Sequence, residues 1–331
     1  MKKITILSSL VVFTIATTST SAQDLPDLGS LLDTSGDIGR VQEISWSATG
    51  EMFDPAQTTV AGARAKHITS YAVEGSWQPG ESTEYAWTLN IHYPFPSVYS
   101  YRESMDGAGG GEIDGPDGFR PSAPGALPGA RIGARAKFLV MAMPALLLAN
   151  ATDVSAIRGQ RGSYEFTALS TRWRINIGAN GMLSRLSTTE NDPLFGSVES
   201  GMRYSDWQDF DGILLPGKLE YRVDGQLIQQ ETREAMDVSL AARNRNADIS
   251  PSLDHADFAR GWNMAHWFLR RIALGGQADT DQSYPVELLE VADGVYQALG
   301  SSHHSLIIET DNGLIVADAP LYPSRSVAVL E

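Results

Sequence analysis

The chain has 331 residues, 42% hydrophobic and 20% charged, the balance of a folded globular protein and not of a disordered one. Its net charge of −15 and isoelectric point near 4.8 work against nucleic acid and anionic membrane surfaces as partners. It has no cysteine, which excludes disulfide staples, thiolate metal ligands and a lipidated cysteine.

The length predicts two domains, and the first 22 residues read as a secretory signal to be removed. Lys2 and Lys3 form its basic start, residues 4–16 its apolar run, and Thr20-Ser21-Ala22 its small-residue cleavage site. The run is too short to span a bilayer, so no integral membrane segment is expected after cleavage. The mature chain would begin at Gln23, in the periplasm or secreted. Residues 23–40 are polar and acidic and read as a flexible lead-in.

From Val41 the pattern turns β. Residues 41–46, 67–73 and 85–93 are three predicted strands, and in the third Tyr85, Trp87, Leu89, Ile91 and Tyr93 share one face. Residues 106–128 are rich in Gly and Pro and read as a surface connection. They lack the Lys-Ser/Thr of a phosphate loop and the ligand spacing of a calcium hand. Residues 131–150 read as a helix, with Ile132, Ala136, Leu139, Met143, Leu146 and Leu147 at helical spacing and a bend or break at Pro144.

Strands resume at 163–169. Trp173, Ile175 and Ile177 share a face in the next, and Asn180-Gly181 turns the chain back into 182–187. Residues 202–207 follow, then Asp211-Gly212, 213–216, 218–223, Asp224-Gly225 and 227–236. This is the pattern of an antiparallel meander. On Tyr204-Ser205-Asp206-Trp207, Asp211-Gly212 and Leu215-Pro216, residues 41–236 resemble lipoprotein-carrier-like domains. The resemblance implies a curved antiparallel sheet around a helical segment, with an apolar groove and no catalysis.

Residues 244–283 read as linker and connector helix. Phe258, Trp262, Ala265, Leu269 and Ile272 form one apolar stripe between Pro251-Ser252 and Gly275-Gly276. In the last segment, 284–331, three short apolar runs flank Asp293-Gly294 and Asp311-Asn312-Gly313, strong hairpin signals. On Asp293-Gly294-Val295-Tyr296-Gln297 and residues 305–320 this segment resembles the opening of a metallo-β-lactamase-fold domain. The H-x-H-x-D-H motif of that superfamily is absent from the sequence. The resemblance therefore implies a domain that the chain enters and does not complete.

The histidines make no metal motif. His303 and His304 are neighbours that an extended backbone points apart. His255 and His266 stand eleven residues apart, about 16 Å along a helix. His67 and His92 lie on separate predicted strands and meet only by tertiary coincidence. H-E-x-x-H and G-x-S-x-G are absent. Asp318 ends a strand and reads as a cap for the next helix.

The expected fold class is thus α+β. A curved antiparallel sheet domain with one or two helices spans 41–243, a helical connector spans 244–283, and the first strands of an incomplete αββα metallo-β-lactamase fold span 284–331. The leading functional reading is the N-terminal fragment of an exported zinc hydrolase. Zinc is then expected only in the full-length protein, and this chain is inactive and metal-free. No residue is assigned a catalytic, cofactor-binding or metal-binding role. The alternative is a periplasmic hydrophobic-ligand or lipoprotein-binding module without catalysis. A docking domain with a filled, dry interior is a third. The expected partner is a small-molecule substrate or an apolar ligand.

Overall fold

A computed structural model describes residues 38–54, 63–92, 96–115, 125–127, 129–192, 196–242, 286–299, 304–318, 327 and 329–331. The expected signal segment, the expected connector helix with His255 and His266, and His303 lie outside these residues.

A short 3-10 turn, Ile38–Arg40, leads into strands β1 (Val41–Asp54), β2 (Lys66–Gln78), β3 (Ser82–Ile91), β4 (Ser97–Asp106), β5 (Gly111–Asp114) and β6 (Gly125–Ala126). Two helices follow, α1 (Gly129–Ala142) and α2 (Ala145–Ala149). The chain then continues through β7 (Thr152–Ala156), β8 (Ser163–Ala168), β9 (Thr171–Ile177), β10 (Leu183–Asp192), β11 (Gly196–Phe210), β12 (Ile213–Val223) and β13 (Gln226–Leu240). All these strands join one antiparallel sheet of order β6-β5-β4-β3-β2-β1-β13-β12-β11-β10-β9-β8-β7. Two meanders are therefore sewn together by the pairing of the first and last strands, and the helices cross from one outer edge to the other.

Alternation makes this sheet one-sided. In β3, Thr83, Tyr85, Trp87 and Leu89 are buried while Glu84, Thr88 and Asn90 are exposed. Laid flat, 13 strands would be about 58 Å wide at the usual strand spacing. The 14-residue helix α1 is only about 21 Å long. Yet one continuous core joins Ile113 of β5, Phe166 of β8 and the helices. The sheet therefore curls around them.

Local chemistry explains the turns and the break. Asp211 and Gly212 both have positive φ, as do Asp224 and Gly225, the geometry of tight hairpins. Pro144 removes a donor, so α1 stops before it and α2 starts after it, as the sequence predicts. Residues 213–216 and 218–223 read as separate strands, but they form one strand through Pro216. Pro216 pairs with Trp207 on β11, whereas pairing to β13 begins only at Lys218, so no ladder bond on that side is lost.

Two glycines in β1–β2 make room for aromatic rings directly across the ladder: Gly50 faces Tyr71 and Gly75 faces Trp46. A Cβ at Gly75 would collide with the Trp46 indole. Trp46 is packed edge-on to Tyr85, 5.9 Å away, and cannot withdraw. Gly75→Ala is expected to cost about 1–3 kcal/mol as overpacking, read as a lower denaturation midpoint with unchanged slope.

Strands β4, β5, β6 and β7 were not legible. Residues 106–128 hold β5 and β6, not only a surface connection, and Ile113 and Leu127 are buried there.

The last described segment forms its own antiparallel sheet of order β14-β15-β16-β17: β14 (Glu287–Ala292), β15 (Val295–Leu299), β16 (Ser305–Thr310) and β17 (Gly313–Ala317). The three expected runs are strands, and Asp293-Gly294 links β14 to β15. The register places Leu289, Leu306, Ile308 and Ile315 on one face, and Leu289, Leu306 and Ile315 are exposed.

The expected α+β class with an incomplete αββα fold is overturned. Among the described residues the protein is β-dominated, with a large curved sheet and two helices. The terminal strands follow one another in plain sequence order. Signals such as Asn312-Gly313 are local: they fix a turn in any antiparallel meander and specify no helical outer layer. The metallo-β-lactamase, hydrolase and zinc expectations rested on that fold and fall with it.

Candidate binding interior

Helices α1 and α2 lie inside the curl and are buried almost all round. Leu139, Val140, Met141, Met143, Leu146 and Leu147 are each at most 1% exposed. A helix apolar on every side belongs in a core. Unexpectedly, Arg131 and Arg135 of α1 are buried as well.

One carboxylate neutralises both. Glu103 alternates inward on β4 between Tyr101 and Met105. It accepts from Arg131 and, at 2.7 Å, from Arg135 Nε. It also accepts from the Trp87 indole at 3.1 Å. The Arg135 guanidinium lies 4.4 Å from the Trp87 ring centroid. Burial alone would push the Glu103 carboxyl up. The two guanidinium groups and their hydrogen bonds outweigh it and hold the carboxyl below the usual range.

The other end of α1 is held by capping. Its last carbonyls have no partner within the helix once Pro144 breaks it. Tyr204 donates to the Met141 carbonyl at 2.6 Å, and Arg233 lies 3.4 Å from that of Ala142. Tyr204 belongs to the Tyr-Ser-Asp-Trp run that the sequence singled out, so that run now has a physical task.

A second buried carboxylate behaves oppositely. Glu231 meets Arg233 at 3.5 Å, without hydrogen-bond geometry, and accepts from Tyr71 at 3.0 Å. Gln229 in turn donates to the Tyr71 hydroxyl at 2.7 Å. Burial pushes the Glu231 carboxyl up, and the loosely placed Arg233, the Tyr71 hydrogen bond and the more distant Arg135 do not bring it back.

The face away from the helices is polar. A cleft of about 880 Å³ runs along it, lined by Thr49, Ser70, Asn90, Arg203, Lys218 and Gln230 among others. Beside Ser70 of that lining, His67 and His92, expected to meet only by coincidence, do meet, with ring centroids 4.9 Å apart. His304 is exposed and pairs through Nδ1 with the Gln297 amide at 2.9 Å. Asp318 follows β17 with a positive φ. No three His, Asp or Glu side chains cluster among the described residues. No described helix is long and apolar enough to cross a membrane.

No family model and no curated protein matches the chain. Among solved structures, a LolA superfamily protein from Nitrosomonas europaea is similar at 13% identity, over 64% of this chain and 93% of its own, with a TM-score of 0.36. A DUF1329 family protein from Desulfovibrio piger is similar at 10% identity, over 66% of this chain and 92% of its own, with a TM-score of 0.38. Likeness at this level transfers neither ligand nor activity.

The sequence missed Arg131, Arg135 and Glu103 because β4 was not read as a strand. Had it been, a glutamate at an inward alternate position would have called for a buried cation, and two arginines four residues apart on the helix supply it.

Proposed function

We propose that the chain is an exported, non-catalytic binding module that takes an acyl chain of a lipid or lipoprotein into the curl of its sheet. The carrying observation is the way the apolar interior is filled. The filling is a Pro-broken helical segment fixed by a few polar anchors, not a second sheet. The anchors are Glu103 at one end and Tyr204 with Arg233 at the other. Displacing that segment exposes an apolar trough of the kind ligands prefer. Met52, Met105, Met141, Met143 and Met202 are all in the core, and flexible thioethers adapt to a changed occupant. The basic, then apolar, then small-residue N-terminus supports export.

A fluorescent acyl probe, 11-dansylaminoundecanoic acid, tests this on the full chain. Saturable uptake with a blue-shifted emission is expected. Tyr204→Phe removes one helix anchor worth about 1 kcal/mol, and should tighten apparent uptake about fivefold. If neither wild type nor variant takes up the probe, the interior is a permanently filled core and the chain is a docking domain.

A further inference from the structure

Outside the interior, His67 and His92 have no part in the binding reading, and neither is required for strand pairing. The backbone there is already satisfied, since His92 N–H donates to the Ile68 carbonyl at 2.7 Å. Their side chains nevertheless converge. The Ser70 hydroxyl lies 2.9 Å from His92 Nε2 and 3.5 Å from His67 Nε2. Both Nε2 atoms therefore approach one point, the hydroxyl of Ser70, which lines the polar cleft. The His67 ring also lies against Phe53, with centroids 5.4 Å apart, so it contacts two rings.

The irregularity of β2 produces this convergence. Pairing to β1 slips between Met52 and Phe53, and both Ile68 and Thr69 are buried. Across that slip His67 comes out on the exposed face with Ser70, where His92 and Asn90 of the neighbouring hairpin arm also emerge.

We propose that His67 and His92 bind a divalent transition-metal ion, Cu²⁺ above Zn²⁺. The metal would be held by the two Nε2 atoms, with the Ser70 hydroxyl or a water it positions as an oxygen donor. Two imidazoles and oxygen donors suit the tetragonal geometry of Cu²⁺, which also heads the affinity order for such ligands. Calcium and magnesium, which take oxygen ligands, are disfavoured because the two converging side chains offer imidazole nitrogens. Metal–nitrogen distances of about 2.0–2.1 Å are within reach of two exposed rings whose centroids are 4.9 Å apart. With at most three protein ligands the remaining positions belong to solvent, so the ion exchanges readily, as capture or delivery requires. This runs against the expectation of a metal-free chain, and it does not depend on the acyl-binding reading.

The full chain is titrated with CuCl₂ and followed by electron paramagnetic resonance. One equivalent of Cu²⁺ with coupling to two imidazole nitrogens is expected. His67→Ala and His92→Ala should each lose that signal, whereas His304→Ala should keep it. Thermal melts of the variants show that the loss is not unfolding. A wild-type spectrum with no nitrogen coupling overturns the proposal, as does copper binding that survives both His67→Ala and His92→Ala.

Discussion

Glu103→Gln is expected to destabilise the chain by about 3–5 kcal/mol, because removing one partner from a buried ionic cluster leaves the others uncompensated. Here two guanidinium groups share the one carboxylate, and both are about 1% exposed. Neither reaches water without pulling α1 out of the curl. The pH dependence of stability separates this carboxylate from Glu231. Glu103 has a depressed folded value. Its contribution is complete above the ordinary glutamate pKa of about 4.3, and is lost as pH falls through the lower folded value. Glu231 has a raised folded value. Its contribution is present below about 4.3 and is lost as pH rises through the folded value. Melting temperatures from pH 3 to 8 should therefore show two limbs of opposite slope. Glu103→Gln should flatten the acid limb, and Glu231→Gln the limb above it. A Glu103→Gln profile running parallel to wild type would mean that the cluster does not hold α1.

The strands and turns that could be read from the sequence were those with side chains at alternate positions or turn residues with positive φ. Residues 85–91 and 173–177 carry large apolar groups every second position, and both became strands facing the core. Asp211-Gly212 and Asp224-Gly225 became the hairpin turns their chemistry requires. Strands β5, β6 and β7 failed that test for a physical reason. In β5 and β6 the residues are mostly glycine or polar, and all of β7 is exposed. They pair through the backbone, which leaves no mark in the side-chain pattern. The join of β1 to β13, on which the curl depends, is a contact between chain regions almost two hundred residues apart. No local signal reports it. The antiparallel sheet closed around a helical segment was expected only through the resemblance of residues 41–236. The metallo-β-lactamase reading failed because it took hairpin signals, which are local, as the signature of a layered fold, which is not. Of the interior, the apolar half was visible in the spacing of Leu139, Met143, Leu146 and Leu147. The ionic half was hidden by the missing β4. The pairing of His67 with His92 depends on a slip in register that the sequence does not announce.

Trp173→Ala is the sharpest test of the curl itself. Trp173 is fully buried at the centre of β9, and its indole N–H donates to the Ala168 carbonyl at 3.0 Å. Truncation removes a large apolar side chain and strands that carbonyl, for an expected loss of about 3–5 kcal/mol. Its neighbours Arg172 and Arg174 point the other way, more than two-fifths exposed, and share Glu165 on β8. Exposed ion pairs of that kind contribute little, so Arg172→Ala or Arg174→Ala should barely move the denaturation midpoint. A one-residue slip in a strand exchanges its two faces completely. A large loss at Arg172 or Arg174 with little at Trp173 would therefore place the tryptophan outside, and the sheet would have no apolar face to wrap around the helices.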